Sequence, residues 1–303
     1  MSKIGFIGLG VMGRPMAGHL QAAGHQLYLV RHRSTLPDEL MEGGAIECGT
    51  HRELAQQADI ILTIVPDTPD VESVLFGPEG VGQGLSTGKM VIDMSSISPI
   101  ETKEFAAKVM TKGCHYLDAP VSGGEVGAKA GTLTIMVGGD PRTFDQVKPL
   151  FEIMGGNITL VGDVGSGQIC KVANQIIVAL TIEAVKDFGL GNKDALRCKN
   201  MWTLGLALWM FDRPRAPLYE WLNSKFAKKP DIAKANIAAL DAGHAYGETA
   251  ELAGPLKQVH LDPVPTQPGL YRTVTGAEAV SLGLVAGARL LRLPMFFGGY
   301  PIT

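Results

Sequence analysis

Short apolar runs alternate with amphipathic stretches up to about residue 165 of the chain. Ile4–Ile7, Gln26–Val30, Ile60–Val65, Met90–Met94, Tyr116–Asp118, Leu133–Val137 and Ile158–Val161 have the length and β-rich character of strands. Arg14–Ala23 and Pro99–Lys112, lying between them, carry apolar residues at helical spacing. Strand and helix in alternation predict βαβ units, hence an α/β fold with a Rossmann-like, doubly wound and mostly parallel sheet. Ser166 to about Phe188 then forms one long, mostly apolar helical run. After it the character changes: Met201–Phe211, Lys225–Ala242 and Gly276–Leu291 look helical, His260–Pro268 is proline-rich and extended, and Pro294–Thr303 reads as strand and turn. The pattern predicts a Rossmann-like α/β domain at 1–164, an interdomain helix at 165–188 and a mainly helical C-terminal region at 189–303.

Composition narrows the class without deciding it. At 303 residues the chain has room for two cores, and 46% hydrophobic with 19% charged residues is a soluble globular balance. A net charge of −3 offers no basic surplus for nucleic acid or an anionic membrane. Cys48, Cys114, Cys170 and Cys198 form no C-x-x-C pair, and no set of metal ligands assembles around them, so free thiols and no metal site are expected. Met201–Phe211, taken as the longest candidate membrane stretch, falls far short of the roughly 20 apolar residues a spanning helix needs. A cytoplasmic protein acting on a small molecule is the expectation, with homo-oligomerisation left open.

The chemistry-bearing signal begins at Gly8-Leu9-Gly10-Val11-Met12-Gly13, which follows a strand and opens a helix. Glycines at this spacing allow a tight turn and let a pyrophosphate approach free N–H groups at the helix N-terminus. A turn that serves only close helix–strand packing is the plainer alternative. At the end of the second strand, where an acid ordinarily binds the ribose 2′-hydroxyl of NAD, the chain reads Val30-Arg31-His32-Arg33-Ser34. Arg31 and Arg33 suit a 2′-phosphate, which favours NADP over NAD, although two solvated surface arginines would look the same. Lys171, Asn174 and Gln175 stand at i, i+3 and i+4, on one face of an otherwise apolar helix. A lysine there would be partly desolvated, which favours proton transfer at moderate pH; one snorkelling from a core helix fits the pattern equally.

Val65-Pro66-Asp67, Asp93-Met94-Ser95-Ser96-Ile97-Ser98-Pro99, Asp118-Ala119-Pro120-Val121-Ser122-Gly123-Gly124, Gly167-Gln168 and Lys171-Val172-Ala173-Asn174-Gln175 occur in that order. Together they resemble the β-hydroxyacid dehydrogenase family from Met1 to about Val185. The resemblance implies an NAD(P)-dependent oxidoreductase that reduces a small 3-carbon hydroxy-oxo acid such as 2-hydroxy-3-oxopropionate to glycerate. It implies that Val65, Pro66 and Ser96 flank the nicotinamide, and that Ser122, Gly123 and Gly124 hold the substrate carboxylate. It further implies Lys171 as general acid/base and Asn174 as the residue that orients the substrate oxygen.

From Lys186 onward the family's pattern is not found. Asp194–Asn200, Gly205–Phe211, Lys225–Pro230, Tyr246–Thr249, Gly276–Ala279 and Gly298–Thr303 instead resemble segments of a 2-oxoacid:acceptor (ferredoxin) oxidoreductase, without its iron–sulfur cysteines. A natural fusion, a chimera and a diverged second domain all fit. The corresponding alternative function is an NADP-binding module without turnover, or a fragment linked to such an oxidoreductase.

Overall fold

The computed structural model describes residues 1–32 and 35–249. The chain divides into two compact units, Met1–Gln258 and Val259–Thr303. The second unit lies outside the described residues, and with it the readings at His260–Pro268, Gly276–Leu291 and Pro294–Thr303.

Among the described residues nine strands form one sheet: β1 (Lys3–Ile7), β2 (Gln26–Val30), β3 (Ile46–Cys48), β4 (Ile60–Thr63), β5 (Met90–Asp93), β6 (His115–Asp118), β7 (Val121–Ser122), β8 (Leu133–Gly139) and β9 (Gly155–Gly162). The order β3-β2-β1-β4-β5-β6 is parallel throughout and reverses direction at β1/β4. In such a sheet the crevice outside the carboxyl ends of the strands at that reversal is the place where a ligand fits. Strand β8 runs antiparallel to β6 and β7, and β9 runs parallel to β8. The Rossmann-like α/β reading is therefore correct, and β3 and β7 are additions to the predicted strands.

Alternate residues of each strand feed opposite faces of the sheet, which is why these strands are apolar almost throughout. Ile4, Phe6, Leu27, Leu29, Leu62, Ile92 and Leu117 face one way. There they meet Met16 and Leu20 of α1 (Gly13–Ala22), Leu40 of α2 (Asp38–Glu42), Ala128 of α6 (Gly124–Ala130) and Phe151 of α7 (Pro141–Met154). Ile7, Tyr28, Ile61, Val91 and Tyr116 face the other way. They pack on Leu54 of α3 (His51–Gln57), Leu75 of α4 (Thr68–Phe76) and Phe105 of α5 (Pro99–Met110).

Helix α8 (Ser166–Val185) leaves this sandwich and joins α9 (Asn192–Arg197), α10 (Lys199–Met210), α11 (Ala216–Lys225) and α12 (Pro230–Thr249). A separate small core of Val185, Ala195, Cys198, Trp202, Ala235 and Ala239 holds α8, α9, α10 and α12 together. The backbones of α10 and α12 touch: a Cβ on Gly205 would stand 1.9 Å from the Leu240 carbonyl oxygen, and one on Gly243 would stand 1.9 Å from that of Trp202. Lys225–Ala242 is thus not one helix. Lys225 ends α11, and Pro230, at the favoured first position of a helix, starts α12.

One further reading needs correction. Ser166–Phe188, which spans 23 residues, is long and apolar enough to cross a membrane by length and composition, so Met201–Phe211 is not the longest such stretch. In this fold its first turn is bound to the sheet through Asp118. The four cysteines are unbridged.

Candidate active site

The turn after β1 shows what each of its glycines is for. Gly8 has φ +101, and a Cβ there would lie 2.0 Å from the Ile64 carbonyl oxygen. A Cβ on Gly13 would lie 1.8 Å from the Gly8 carbonyl oxygen, so this glycine brings helix and strand together. A Cβ on Gly10 would meet nothing within 4 Å. Packing alone explains Gly8 and Gly13 and leaves Gly10 open to an approaching ligand. Helix α1 follows with no side-chain cap and no acid in its first turn. An uncapped helix N-terminus beside the open approach at Gly10 fits a pyrophosphate, so the residues present suit a dinucleotide.

Beside that turn is a cavity of about 370 Å³ at the carboxyl ends of β4, β5 and β6. Met12, Ile64, Val65, Pro66, Met94, Ser95, Ser96, Val121, Ser122, Gly123, Gly124, Lys171 and Gln175 line it. The loops reach it because each strand end is pinned by a buried side chain. Asp93 Oδ1 accepts from the Thr63 hydroxyl at 2.9 Å and from the Ser95 N–H at 3.0 Å, and the Ser95 hydroxyl accepts from the Val65 N–H at 3.0 Å. Burial pushes the Asp93 carboxyl up to about 6, against the opposing hydrogen bonds from Ser95 and Thr63. Asp118 accepts from the Gly165 N–H at 2.7 Å and the Gln168 N–H at 3.0 Å, which closes the amino end of α8. Its pKa is also raised by burial, with those backbone donors pulling the other way.

Helix α8 carries Lys171 into the cavity, where it is only 8% exposed. Burial lowers its pKa from the ordinary amine value, so its proton is held less tightly than that of a surface lysine. Gln175, one turn on, also lines the cavity. Asn174 does not: its Oδ1 accepts from Lys199 Nζ of α10 at 3.5 Å. Of the residues singled out in the sequence, the structure therefore brings together Met12, Val65, Pro66, Ser96, Ser122, Gly123, Gly124 and Lys171. Leu9 and Val11 belong to the glycine turn without lining the cavity. Arg31 is not a free cation, because its Nη2 lies 3.1 Å from Glu47 Oε1 on β3. His32 is exposed just beyond β2, and Arg33 lies outside the described residues. Among the described residues no group of three or more His, Cys, Asp or Glu side chains is placed to hold a metal ion. Sequence reasoning quoted Ser95, Asp93, Asp118 and Gln168 within motifs but gave them no role; their burial is what the linear pattern hides.

Residues 3–162 match the family described as the NAD binding domain of 6-phosphogluconate dehydrogenase. The chain is 60% identical over 185 residues to 2-hydroxy-3-oxopropionate reductase of Escherichia coli, an overlap of 61% of this chain and 63% of that protein's length. A solved structure of Mycobacterium tuberculosis 3-hydroxyisobutyrate dehydrogenase with L-serine is similar with a TM-score of 0.58 at 34% identity, covering 65% of this chain and 67% of that one. The structure of Salmonella typhimurium 3-hydroxyisobutyrate dehydrogenase shares the fold at 23% identity and a TM-score of 0.57, over 84% of this chain and 90% of that one. With its glycine turn, its reversal at β1/β4 and these relatives, the chain belongs to the β-hydroxyacid dehydrogenase family, whose cofactor half is an NAD-binding domain.

Proposed function

We propose that this chain is an NADP-preferring reductase of a small 3-carbon hydroxy-oxo acid, with 2-hydroxy-3-oxopropionate as substrate and glycerate as product. The observation that carries the reading is the buried Lys171, which shares one cavity with Ser96 and with Ser122–Gly124. A bound nicotinamide supplies the hydride, which is the cofactor's own chemistry. The rest belongs to the chain. Ser122, through its hydroxyl, and Gly123 and Gly124, through backbone N–H groups, hold the substrate carboxylate. The Lys171 ammonium stabilises charge developing on the substrate carbonyl oxygen and gives it a proton, a transfer made easier by the lowered pKa. Asn174, turned toward Lys199, acts by setting the helix face rather than by touching the cavity. Val65, Pro66 and Ser96 flank the nicotinamide end. Arg31, with Arg33, selects the 2′-phosphate once it exchanges Glu47 for it.

A second reading follows from the expectation, raised by the sequence motifs alone, that residues 186 onward are a segment of a 2-oxoacid:acceptor oxidoreductase. In it the chain binds NADP and does not turn over, because a different segment stands where the substrate site is ordinarily completed. Mixing the protein with NADPH or NADH and 2-hydroxy-3-oxopropionate, and following loss of the reduced cofactor, separates the two. Turnover supports the reductase; cofactor binding without turnover supports the module.

A further inference from the structure

Two buried side chains tie α8 to the sheet, and they act on different partners. Asp118 holds the helix end itself. Gln168, fully buried and one turn before Lys171, reaches instead to the loop after β5. Its Oε1 accepts from the Ile97 N–H at 3.1 Å, and its Nε2 donates to the Ser95 carbonyl at 2.8 Å. One carboxamide thus grips the backbone on both sides of Ser96, which is exposed into the cavity that Lys171 enters.

We propose that Gln168 is a positioning residue that sets the span between the Ser95–Ile97 backbone and the Lys171 ammonium. This rests on Lys171 being the proton donor and on the nicotinamide end lying against Ser96. The span matters because donor groups on two separate elements must meet one substrate carbon–oxygen bond. A misplacement of about 1 Å in such a constellation costs on the order of a hundredfold in rate. A primary amide suits the task because it carries one donor and one acceptor at fixed spacing, matching the C=O and N–H it grips. An ionised glutamate would set an oxygen against the Ser95 carbonyl, and protonation would restore the donor.

Gln168→Met and Gln168→Glu test this together. In Gln168→Met, turnover falls about a hundredfold while the NADPH dissociation constant stays within about threefold. Amide hydrogen exchange at Ser95–Ile97 accelerates about tenfold or more, and exchange in the Gly8–Gly13 turn does not change. Gln168→Glu is impaired relative to wild type at neutral pH, and the ratio of its turnover to that of wild type at the same pH recovers as the pH falls. Its carboxyl would titrate among Asp93, Tyr116 and Asp118 of the strands, with Lys103 of α5 and Lys171 as the neighbouring cations. Unchanged turnover and unchanged exchange in Gln168→Met would overturn the proposal. Undiminished turnover in Lys171→Ala would instead overturn the reading beneath it, and the exchange at Ser95–Ile97 reports the tether in either case.

Discussion

Arg31, at the end of β2, forms a salt bridge with Glu47 on β3, Nη2 lying 3.1 Å from Oε1. Both side chains are more than a third exposed, so the pair is weak, worth about 0–1 kcal/mol. It nevertheless occupies the cation proposed for the 2′-phosphate of NADP. Glu47→Gln releases Arg31 without altering its reach. Fluorescence titration is expected to show NADPH bound about two- to fivefold more tightly, with NADH little changed. Arg31→Ala should weaken NADPH selectively. Equal changes for both cofactors would mean that Arg31 does not meet the 2′-phosphate.

The glycine turn offers a clean separation of folding from binding. Gly8→Ala forces a side chain into a positive-φ position and against the Ile64 carbonyl, so the melting temperature should fall. Gly10→Ala meets nothing in the fold, so melting should stay near wild type while NADPH binding weakens about tenfold or more. Thermal melting and cofactor titration on both variants decide it. An unaffected dissociation constant in Gly10→Ala would remove the pyrophosphate from this turn.

Asp93 makes stability depend on pH in a particular direction. Its carboxyl titrates near 6 in the fold, against 3.8 ordinarily, because it is buried. Between those values the folded chain keeps a proton that the unfolded chain has released, so stability falls as pH rises through this window. Asp93→Asn retains an acceptor for Thr63 and Ser95 and cannot ionise. Relative to wild type it should gain up to about 3 kcal/mol above pH ~6, shrinking to nothing below pH ~4. Asp118 is shifted the same way and its charge acts on Asp93, so the difference between the two proteins reports Asp93 together with its coupling to Asp118. Parallel stability curves would show that the Asp93 carboxyl is not perturbed.

The strands and the glycine turn were legible because their cause is local: apolar runs of strand length, and a glycine spacing set by backbone approach. The strand β3 was not, since only Cys48 of its three residues is buried and no alternation marks it. That omission also hid Glu47, and so the partner of Arg31. Helical spacing put Asn174 and Gln175 on the face of Lys171, but a shared face does not say which reaches a cavity. The neighbour that draws Asn174 aside, Lys199, lies 25 residues away. Gln168 was visible as a motif letter, but its partners Ile97 and Ser95 lie 71 and 73 residues away, beyond the reach of any local pattern.

Lys171 is the residue on which the proposed chemistry depends. Its most direct test is the rate of NADPH oxidation with 2-hydroxy-3-oxopropionate in wild type and Lys171→Ala, with NADPH affinity measured on the same samples. Loss of the proton donor should lower turnover by about 10²–10⁴-fold and leave the NADPH dissociation constant within about threefold. Equal turnover in the two proteins would contradict the assignment.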